Sequence, residues 1–537
     1  MQRFLSKKGI VLFFVASVFS NQAQNDPLAR NLFINSDIQT SIDYWHIQMP
    51  DHKFHSSFKP YLTGSIYKSA DSCVPFEHYQ ICNFFLSKTF NNKPEKINQF
   101  NLQIHPILNA SAGFDVLQNT VLPDLIGGTN LKLNINNDFT FSGTVFGGNV
   151  KLPFYMDSLL SENKIIPGLG QVYGSNKTGY QVFDYNGYVS YSPHNNHIFN
   201  FQLGRDRHFI GDGYRSVLLS DYANPYPYFR INTNIWHFQY NVWYTYMQDM
   251  SHTNGIKKDF QGKYATFHYL SWNILKELNI GIFENVVWKG TDTNQVRTFD
   301  VNYLNPILFY RPQEYSVGSP DNSFIGLNIN ARIAKTLKLY AQLGLDEFFL
   351  KEVRARNGWW ANKQAWQLGF TYVNAFKLKG LTVQAEYNEV RPYTYTHGVV
   401  AQNYAHYGLP LAHPYGANFR EFLGIVNYRK DNFQISFKGN VINIGKDTIG
   451  GKSNIGQNIF LSYTTRPYEY GHKTTQGDNH QLLQSDIKLT YWIIPNINAR
   501  LEFGYIQRSE KSNAGYKLEN PYIYLGFKTS FWNIYND

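Results

Sequence analysis

The chain is 537 residues long, with a formal net charge of +10, 17% aromatic residues, only 16% charged residues and two cysteines. After one short apolar stretch at the N-terminus, no run approaches the roughly 20 consecutive apolar residues of a membrane helix, which excludes a helical membrane protein. Aromatic residues are favoured in strands and at membrane interfaces, so the composition leaves a large β domain or an outer-membrane β-barrel.

In chain order, Arg3, Lys7 and Lys8 precede an apolar stretch over residues 9–19 and a small-residue region ending at Ala23. This is the pattern of a cleaved secretory signal over residues 1–23. No cysteine follows it, so no lipoprotein anchor is expected. Its removal takes away three positive charges and leaves +7, a basic balance that suits acidic partners such as lipid phosphates or acidic polysaccharide. Scattered surface charge gives the same balance. Residues 24–98 alternate weakly and are rich in turn residues; they are expected to form a periplasmic or plug element with short helices. Cys73 and Cys82 lie in this element, and in an oxidising compartment they either close one small loop or stay unpaired. No histidine pair accompanies them, so neither a metal site nor any cofactor is expected.

From residue 99 to 537 the dominant signal has a period of two, which places alternate side chains on opposite faces of a pleated strand. Residues 129–146 read as a hairpin, with Leu131, Leu133 and Ile135 on one face and a turn at Asn136–Asp138. Val189 and Tyr191, then Phe199, Phe201 and Leu203, mark a second hairpin, and residues 236–246 and 264–288 continue the theme. Near the C-terminus, Ile487, Leu489, Tyr491 and Ile493 alternate with Lys488, Thr490 and Trp492. Pro495 and Asn496 then turn the chain, and Leu501, Phe503 and Tyr505 alternate with Arg500, Glu502 and Gly504. A sandwich would bury the apolar face, whereas a membrane barrel turns it to lipid and lines the lumen with charge. The tight turn at 495–496 against the long polar connection at 507–520 favours the barrel. The last strand is expected to carry Ile523, Leu525, Phe527, Thr529 and Phe531 on one face. The fold class expected is therefore all-β: a large antiparallel transmembrane barrel of about 14 to 18 strands, an even number near the upper end, over residues 99–537.

One segment breaks the alternation. Residues 205–229, RDRHFIGDGYRSVLLSDYANPYPYF, crowd Arg205, Asp206, Arg207, Asp212 and Arg215 around the Gly211-Asp212-Gly213 turn and end in prolines 225 and 227. The prolines rigidify the backbone and the glycines ask for special dihedral angles, so an ordered insert at the rim or in the lumen is expected. Its arginines and aspartates are expected to form a charge network that either props a plug or holds an anionic group.

This segment resembles the characteristic segment of the Wzi capsule-assembly family. Gly204-Arg205 at a strand end, the Gly211 and Gly213 turn, the Leu218-Leu219-Ser220 core and the Asn224-Pro225-Tyr226-Pro227 ending follow in order. GIFENVVW (281–288), YLNPILFYRPQEYSVGSPDNSFIGL (303–327), LDEFFL (345–350), NGWWANKQAWQLG (357–369), EYNEVRPYTYTH (386–397) and AHPYGANFREFLGIVNYR (412–429) extend the resemblance. As a series they are most similar to the Bacteroidetes branch that includes the gliding motility protein RemB. The resemblance implies an outer-membrane barrel in a Gram-negative, Bacteroidetes-type cell, closed toward the periplasm by an N-terminal helical element. It also implies a role in surface polysaccharide assembly and attachment or in gliding motility, with lipid, surface polysaccharide or gliding and secretion proteins as partners.

Candidate ligand residues are Arg205, Arg207, Asp212 and Arg215, together with Trp359 and Trp360, which either stack on sugar rings or belong to an interfacial girdle. Arg354, Arg356 and Lys363 would supply charge beside the two tryptophans. No enzyme is expected. His208 and Ser220 flank the glycine turn beside Asp212 and Asp221, without the local signature of an activated nucleophile. Asp346 and Glu347 would point to opposite faces of a strand, too divergent to flank one glycosidic bond, and are expected to pair with lumenal arginines. His397, His406 and His413 match no compact ligand spacing, 445–456 lacks the order of a phosphate loop, and dispersed basic residues argue against nucleic acid. A transport pore is the rival function.

Overall fold

In a computed structural model, the structure describes residues 30–49, 54–63 and 100–536 together with three short strands between 75 and 90; residues 137, 161–163, 194–197, 251–252, 254–255, 257–258, 291–298, 308–320 and 448–453 lie outside the description. Residues 1–23, expected to be a secretory signal, and Cys73 and Cys82 also fall outside the described residues.

Eighteen antiparallel strands close into a barrel. They are β1 Phe100–Asp115, β2 Thr120–Ile135, β3 Phe139–Val150, β4 Gly179–Tyr191, β5 Phe199–Asp206, β6 Tyr226–Ile235, β7 Phe238–Asp249, β8 Gln261–Leu275 and β9 Leu278–Lys289. The wall continues with β10 Asn322–Ile333, β11 Leu337–Leu345, β12 Gln364–Val373, β13 Leu381–Val390, β14 Phe419–Lys430, β15 Phe433–Lys446, β16 Asp478–Ile494, β17 Ala499–Ser512 and β18 Lys517–Lys528. Each strand pairs with its neighbour in sequence, and β18 closes on β1, with Phe527 opposite Ala110 and Ile523 opposite Phe114. Closure removes the unpaired edges that an open sheet would present.

The alternation read from the sequence decides which side faces out. Ile487, Tyr491, Leu501, Phe503 and Leu525 are exposed on the wall, whereas Trp492, Arg500 and Glu502 between them are buried in the lumen. Exposed apolar residues round the circumference make the lipid face of a transmembrane barrel. The β-sandwich, in which that face would be buried, is excluded.

The connections are unequal. At one end they are short: 136–138, 192–198, 236–237, 276–277, 334–336, 374–380, 431–432 and 495–498. At the other end seven are long, at 151–178, 207–225, 250–260, 290–321, 346–363, 391–418 and 447–477, and only 116–119 and 513–516 are brief. Short turns belong to the inner, periplasmic end of such barrels and long loops to the outer end.

Helix α1, Ser36–Gln48, lies across the inner end. Asn35 caps it, its side chain accepting from the backbone of Asp37 (2.9 Å) and Ile38 (3.2 Å), which satisfies donors that the first helical turn leaves open. Its buried face, Ile38, Ile42 and Trp45, packs with Phe54, Trp492 and Phe531. Burial of each large side chain contributes roughly 1.5–3 kcal/mol.

The last strand ends three residues earlier than its alternation suggests. β18 stops at Lys528, and Thr529 and Phe531, expected on the lipid face, are buried instead. Phe531 stacks on Phe33 (5.1 Å between centroids) and packs against His105 (4.3 Å), and the chain then continues inside the barrel. The reason is local. Thr529 Oγ1 donates to Pro106 O (2.9 Å) and accepts from Leu108 N (2.8 Å), which turns the backbone over the rim of β1.

Candidate functional site

Residues 207–225 fold into the lumen as an ordered insert. Phe209–Ile210 pairs with Phe58–Lys59 of the N-terminal segment, so insert and plug share a two-stranded ribbon. Gly211 adopts φ +139°, and a Cβ there would lie 2.5 Å from Gln342 Nε2. Gly213 keeps an ordinary φ; what it needs is room, since a Cβ would meet Glu386 Oε1 at 2.6 Å. The sequence reading of special dihedral angles therefore holds for the first glycine alone.

Asp212 and Arg215 of the insert pair with the wall and the N-terminal segment. Asp212 is buried and accepts from Ser56 Oγ (2.6 Å) and Asn330 Nδ2 (2.8 Å), with Lys338 Nζ at 3.5 Å. Lys338 also reaches Asp43 of α1 at 2.6 Å, so one lysine of β11 joins insert, plug and wall. Lys59 Nζ donates to Gly211 O (2.6 Å). Burial alone would raise the Asp212 pKa, but the ammonium groups of Lys338 and Lys59, with hydrogen bonds from Ser56 and Asn328, hold it below the ordinary value. Burial pushes the Lys59 ammonium down to about 8, against the opposing pull of Asp212 and Asp43.

Arg215 pairs with Glu421 (3.3 Å), whose other oxygen lies 2.7 Å from His413 Nε2, and Arg215 N donates to Glu386 (3.1 Å). Val217, Leu218 and Leu219 are wholly buried, with Tyr404 OH donating to Leu218 O (2.8 Å) and Tyr395 OH to Val217 O (2.7 Å). Ser220 Oγ donates to Ala412 O, and Ser220 N donates to Leu411 O (2.8 Å). Asn224 is buried at the end of the insert, Pro225 follows it, and Pro227 pairs with Arg205 at the start of β6. His208 engages Tyr226 OH (3.2 Å) and stacks on Trp243 (5.3 Å), so the serine and the histidine are tied to different partners.

Arg205 departs furthest from its expected place. It shares the outward register of Leu203, pairs with Asp184 (2.8 Å) and lies over the ring of Tyr185. Arg207 is in the lumen, donating to Asp221 O and Gly168 O at 3.4 Å. Asp221 in turn accepts from Asn533 Nδ2 (3.0 Å) and from Tyr535 OH of the re-entrant C-terminal tail. Sequence reading offered no signal for that contact, 312 residues apart along the chain.

Beside the insert, a cavity of about 280 Å³ remains between α1, the tail and strands β13–β18. Tyr522, Tyr524 and Tyr535 line it among equal numbers of acidic and basic side chains, Lys59, Asp221 and Lys488 included.

A second cluster forms at the outer end, where the connections 346–363, 391–418 and 447–477 meet. Backbone bonds lock them together: Trp360 N to Glu469 O (3.0 Å), Gly471 N to Asn357 O (2.9 Å) and His472 N to Gly358 O (2.9 Å). Gly358 has φ +70°, and a Cβ would lie 2.7 Å from His472 N and O, so only glycine allows this crossing. Trp360 is buried under Arg466 (4.0 Å from guanidinium to ring) and Tyr463 (4.7 Å between centroids). Trp359 is half-buried, edge-on to Phe349. These tryptophans thus hold the loops together, off the strands where a girdle would sit. Exposed rings on this set of connections include Tyr468 (46%), one face of which stacks on His472 (4.3 Å between centroids), and Tyr470 (51%), as well as Phe348 and Phe349, with exposed Lys351, Arg354, Arg356 and Lys473. Lys363 is buried and sits 3.0 Å from Glu347 and 3.9 Å from Asp346. The two carboxylates were expected to diverge and to pair with arginines. β11 ends at Leu345, so both lie beyond the pleat and converge on a lysine.

Among curated proteins no sequence match was found. Among solved structures the fold is similar to Wzi, an outer membrane protein involved in group 1 capsule assembly in Escherichia coli and a carbohydrate-binding β-barrel: TM-score 0.56, 11% identity, 94% of this chain and 100% of that chain covered. The outer membrane protein OprD from Pseudomonas aeruginosa is a weaker match, with a TM-score of 0.42, 11% identity and coverage of 81% and 96%. The family described as capsule assembly protein Wzi matches residues 170–509, which takes in the lumenal insert, the outer cluster and most of the wall. With more than half of its length matched, this chain belongs to the Wzi capsule assembly family.

Proposed function

We propose that the protein is a non-enzymatic barrel of the outer membrane that holds acidic surface polysaccharide on its outer face. The observation that carries this reading is the outer cluster. Exposed Tyr468 and Tyr470 offer flat rings to sugar faces, Lys351, Arg354, Arg356 and Lys473 offer cations to carboxylate or phosphate, and the underlying loops are fixed by backbone bonds. A preorganised surface loses little freedom on binding. The lumen supports a scaffold role. Insert, plug and C-terminal tail occupy it, and the charges of Asp212 and Arg215 are already engaged by Lys338 and Glu421.

Membership of the family of capsule assembly proteins supports the substrate class, and the series of segments between 281 and 429 supports a place near the gliding motility branch. The test is binding of purified acidic surface polysaccharide to the detergent-solubilised barrel. Replacing Tyr468 and Tyr470 by Ala should weaken binding at least tenfold while the protein stays folded; undiminished binding would refute the assignment. A deletion strain scored for colony spreading and for surface polysaccharide separates the motility role from the capsule role.

A further inference from the structure

At the outer end of β11 the wall gives way to a short helix with no buried side chain, Leu350–Ala355. β11 has nine residues, and β12 and β13 have ten each. At about 3.3 Å per residue and a tilt near 40°, nine residues rise roughly 23 Å, close to the apolar band of about 25 Å. This sector of the wall is therefore no taller than the hydrocarbon it crosses. Side chains mark both edges. Phe376 and Leu378 are exposed at the inner turn 374–380. Near the outer end, Trp366 and Tyr387, in the outward set of exposed Leu368, pack together (4.9 Å between centroids). Above them the outward face turns polar, where Arg420, in the set of exposed Phe422, pairs with Glu389 (3.1 Å).

Residues 346–356 thus leave the wall at the level of the lipid headgroups. Asp346 and Glu347 converge on Lys363, and Phe348, Phe349 and Leu350 are then all exposed. The helix presents Lys351, Arg354 and Arg356 to solvent, while Glu352 accepts from Asn357 Nδ2. Among the described residues none of the three cations has an ion-pair partner. Backbone bonds next join residues 357–360 to 469–471 and His472, beside Tyr468 and Tyr470. Leaving the wall, the chain therefore offers apolar groups first, cations second and the exposed tyrosine rings third.

Taking the outer cluster as a polysaccharide site, on which this rests, we infer that the glycan it holds is anchored in the same leaflet as the barrel: the bound species is a phosphorylated glycolipid. Such a molecule presents acyl chain, phosphate and sugar in that order outward from the bilayer, the order that Phe348 to Leu350, the three cations and the two tyrosines take along the chain. Free polysaccharide offers nothing to the aliphatic Leu350, and a lipid without phosphate leaves the cations unmatched. Arginine forks suit phosphate oxygens, and mixed aromatic and basic side chains at this depth suit the boundary between headgroup and acyl chain.

The experiment measures the affinity of the detergent-solubilised full-length barrel for three probes: an acidic lipopolysaccharide with its lipid phosphates, the same material dephosphorylated, and its polysaccharide released from the lipid. The intact glycolipid should bind at least tenfold tighter than the released chain, and dephosphorylation should remove most of that gain. The double variant Phe348→Gln, Leu350→Gln, at two exposed positions, should lose the gain while binding the released chain as the wild type does. Equal affinity for the intact and released forms would overturn the inference and leave the polysaccharide site standing. A gain that survives dephosphorylation or the double variant would also overturn it, as partition of acyl chains alone. Binding of neither form would overturn the site and the inference with it.

Discussion

Asp212 is the point where insert, plug and wall meet, and its removal tests the seal. Replacing it by Ala takes one carboxylate from a buried set in which Lys338 Nζ lies 3.5 Å from Asp212 and 2.6 Å from Asp43. Removing one partner of a buried ion pair costs about 3–5 kcal/mol because the other charge stays in a poor solvent. Lys338 keeps Asp43, so the lower end applies: about 3 kcal/mol, or two orders of magnitude in the ratio of undocked to docked insert. The barrel itself, held by its ladder of strand pairs, should still fold. The assay is single-channel recording in planar bilayers. Wild type should be silent and Asp212→Ala should show frequent openings. The defect should also ease as pH rises toward 8, since without Asp212 the Lys59 ammonium, already depressed to about 8, becomes neutral still earlier. A variant as silent as wild type at every pH would refute the role given to Asp212.

Other expectations follow from the same geometry. Gly358→Ala should separate the outer connections, since its Cβ would collide with His472 backbone, and polysaccharide binding should fall with it, read by the same binding assay. Arg466→Ala should uncover Trp360 and cost about 0.5–2 kcal/mol of local stability, read as faster proteolysis of residues 447–477. Burial pushes His397 in the outer connection down to about 4, so it stays neutral in the native loop while the opened loop takes up a proton below pH 6.5. Stability of that loop should therefore fall as pH falls from 6.5 to about 4, by up to about 3 kcal/mol, read as increased hydrogen exchange over residues 391–418.

How much of this was legible in the sequence depends on the range of the interaction. Alternation is local, and Ile487 to Ile493 or Leu501 to Tyr505 announced wall, lipid face and strand period without help from any distant residue. The tight turn at 495–496 was equally local, but the long connection expected at 507–520 was not found: β17 runs to Ser512 and β18 starts at Lys517, so polar residues there are paired strand around a brief turn. The insert was visible as a break in alternation, but its partners Lys338, Glu386 and Glu421 lie more than 100 residues away and closure of the barrel brings them in. For the same reason Arg205, one position inside a strand, faces outward while Arg207, two positions later and past the strand end, is in the lumen. Asp346 and Glu347 were misjudged because the opposite-face rule ends where the pleat ends. Trp359 and Trp360 were singled out in the sequence, and they lie where the outer connections cross. Trp360 is buried under Arg466 and Trp359 is half-buried against Phe349, while Tyr468 and Tyr470, about a hundred residues further on, are exposed.

The proposed function requires a barrel that binds at its outer face and does not conduct. Vesicles carrying the wild-type protein, with acidic polysaccharide outside and a sugar-sized reporter inside, measure both properties in one sample. Retention of the reporter with polysaccharide bound to the vesicle surface is the expected result; rapid release of the reporter without bound polysaccharide would identify a pore and contradict the account.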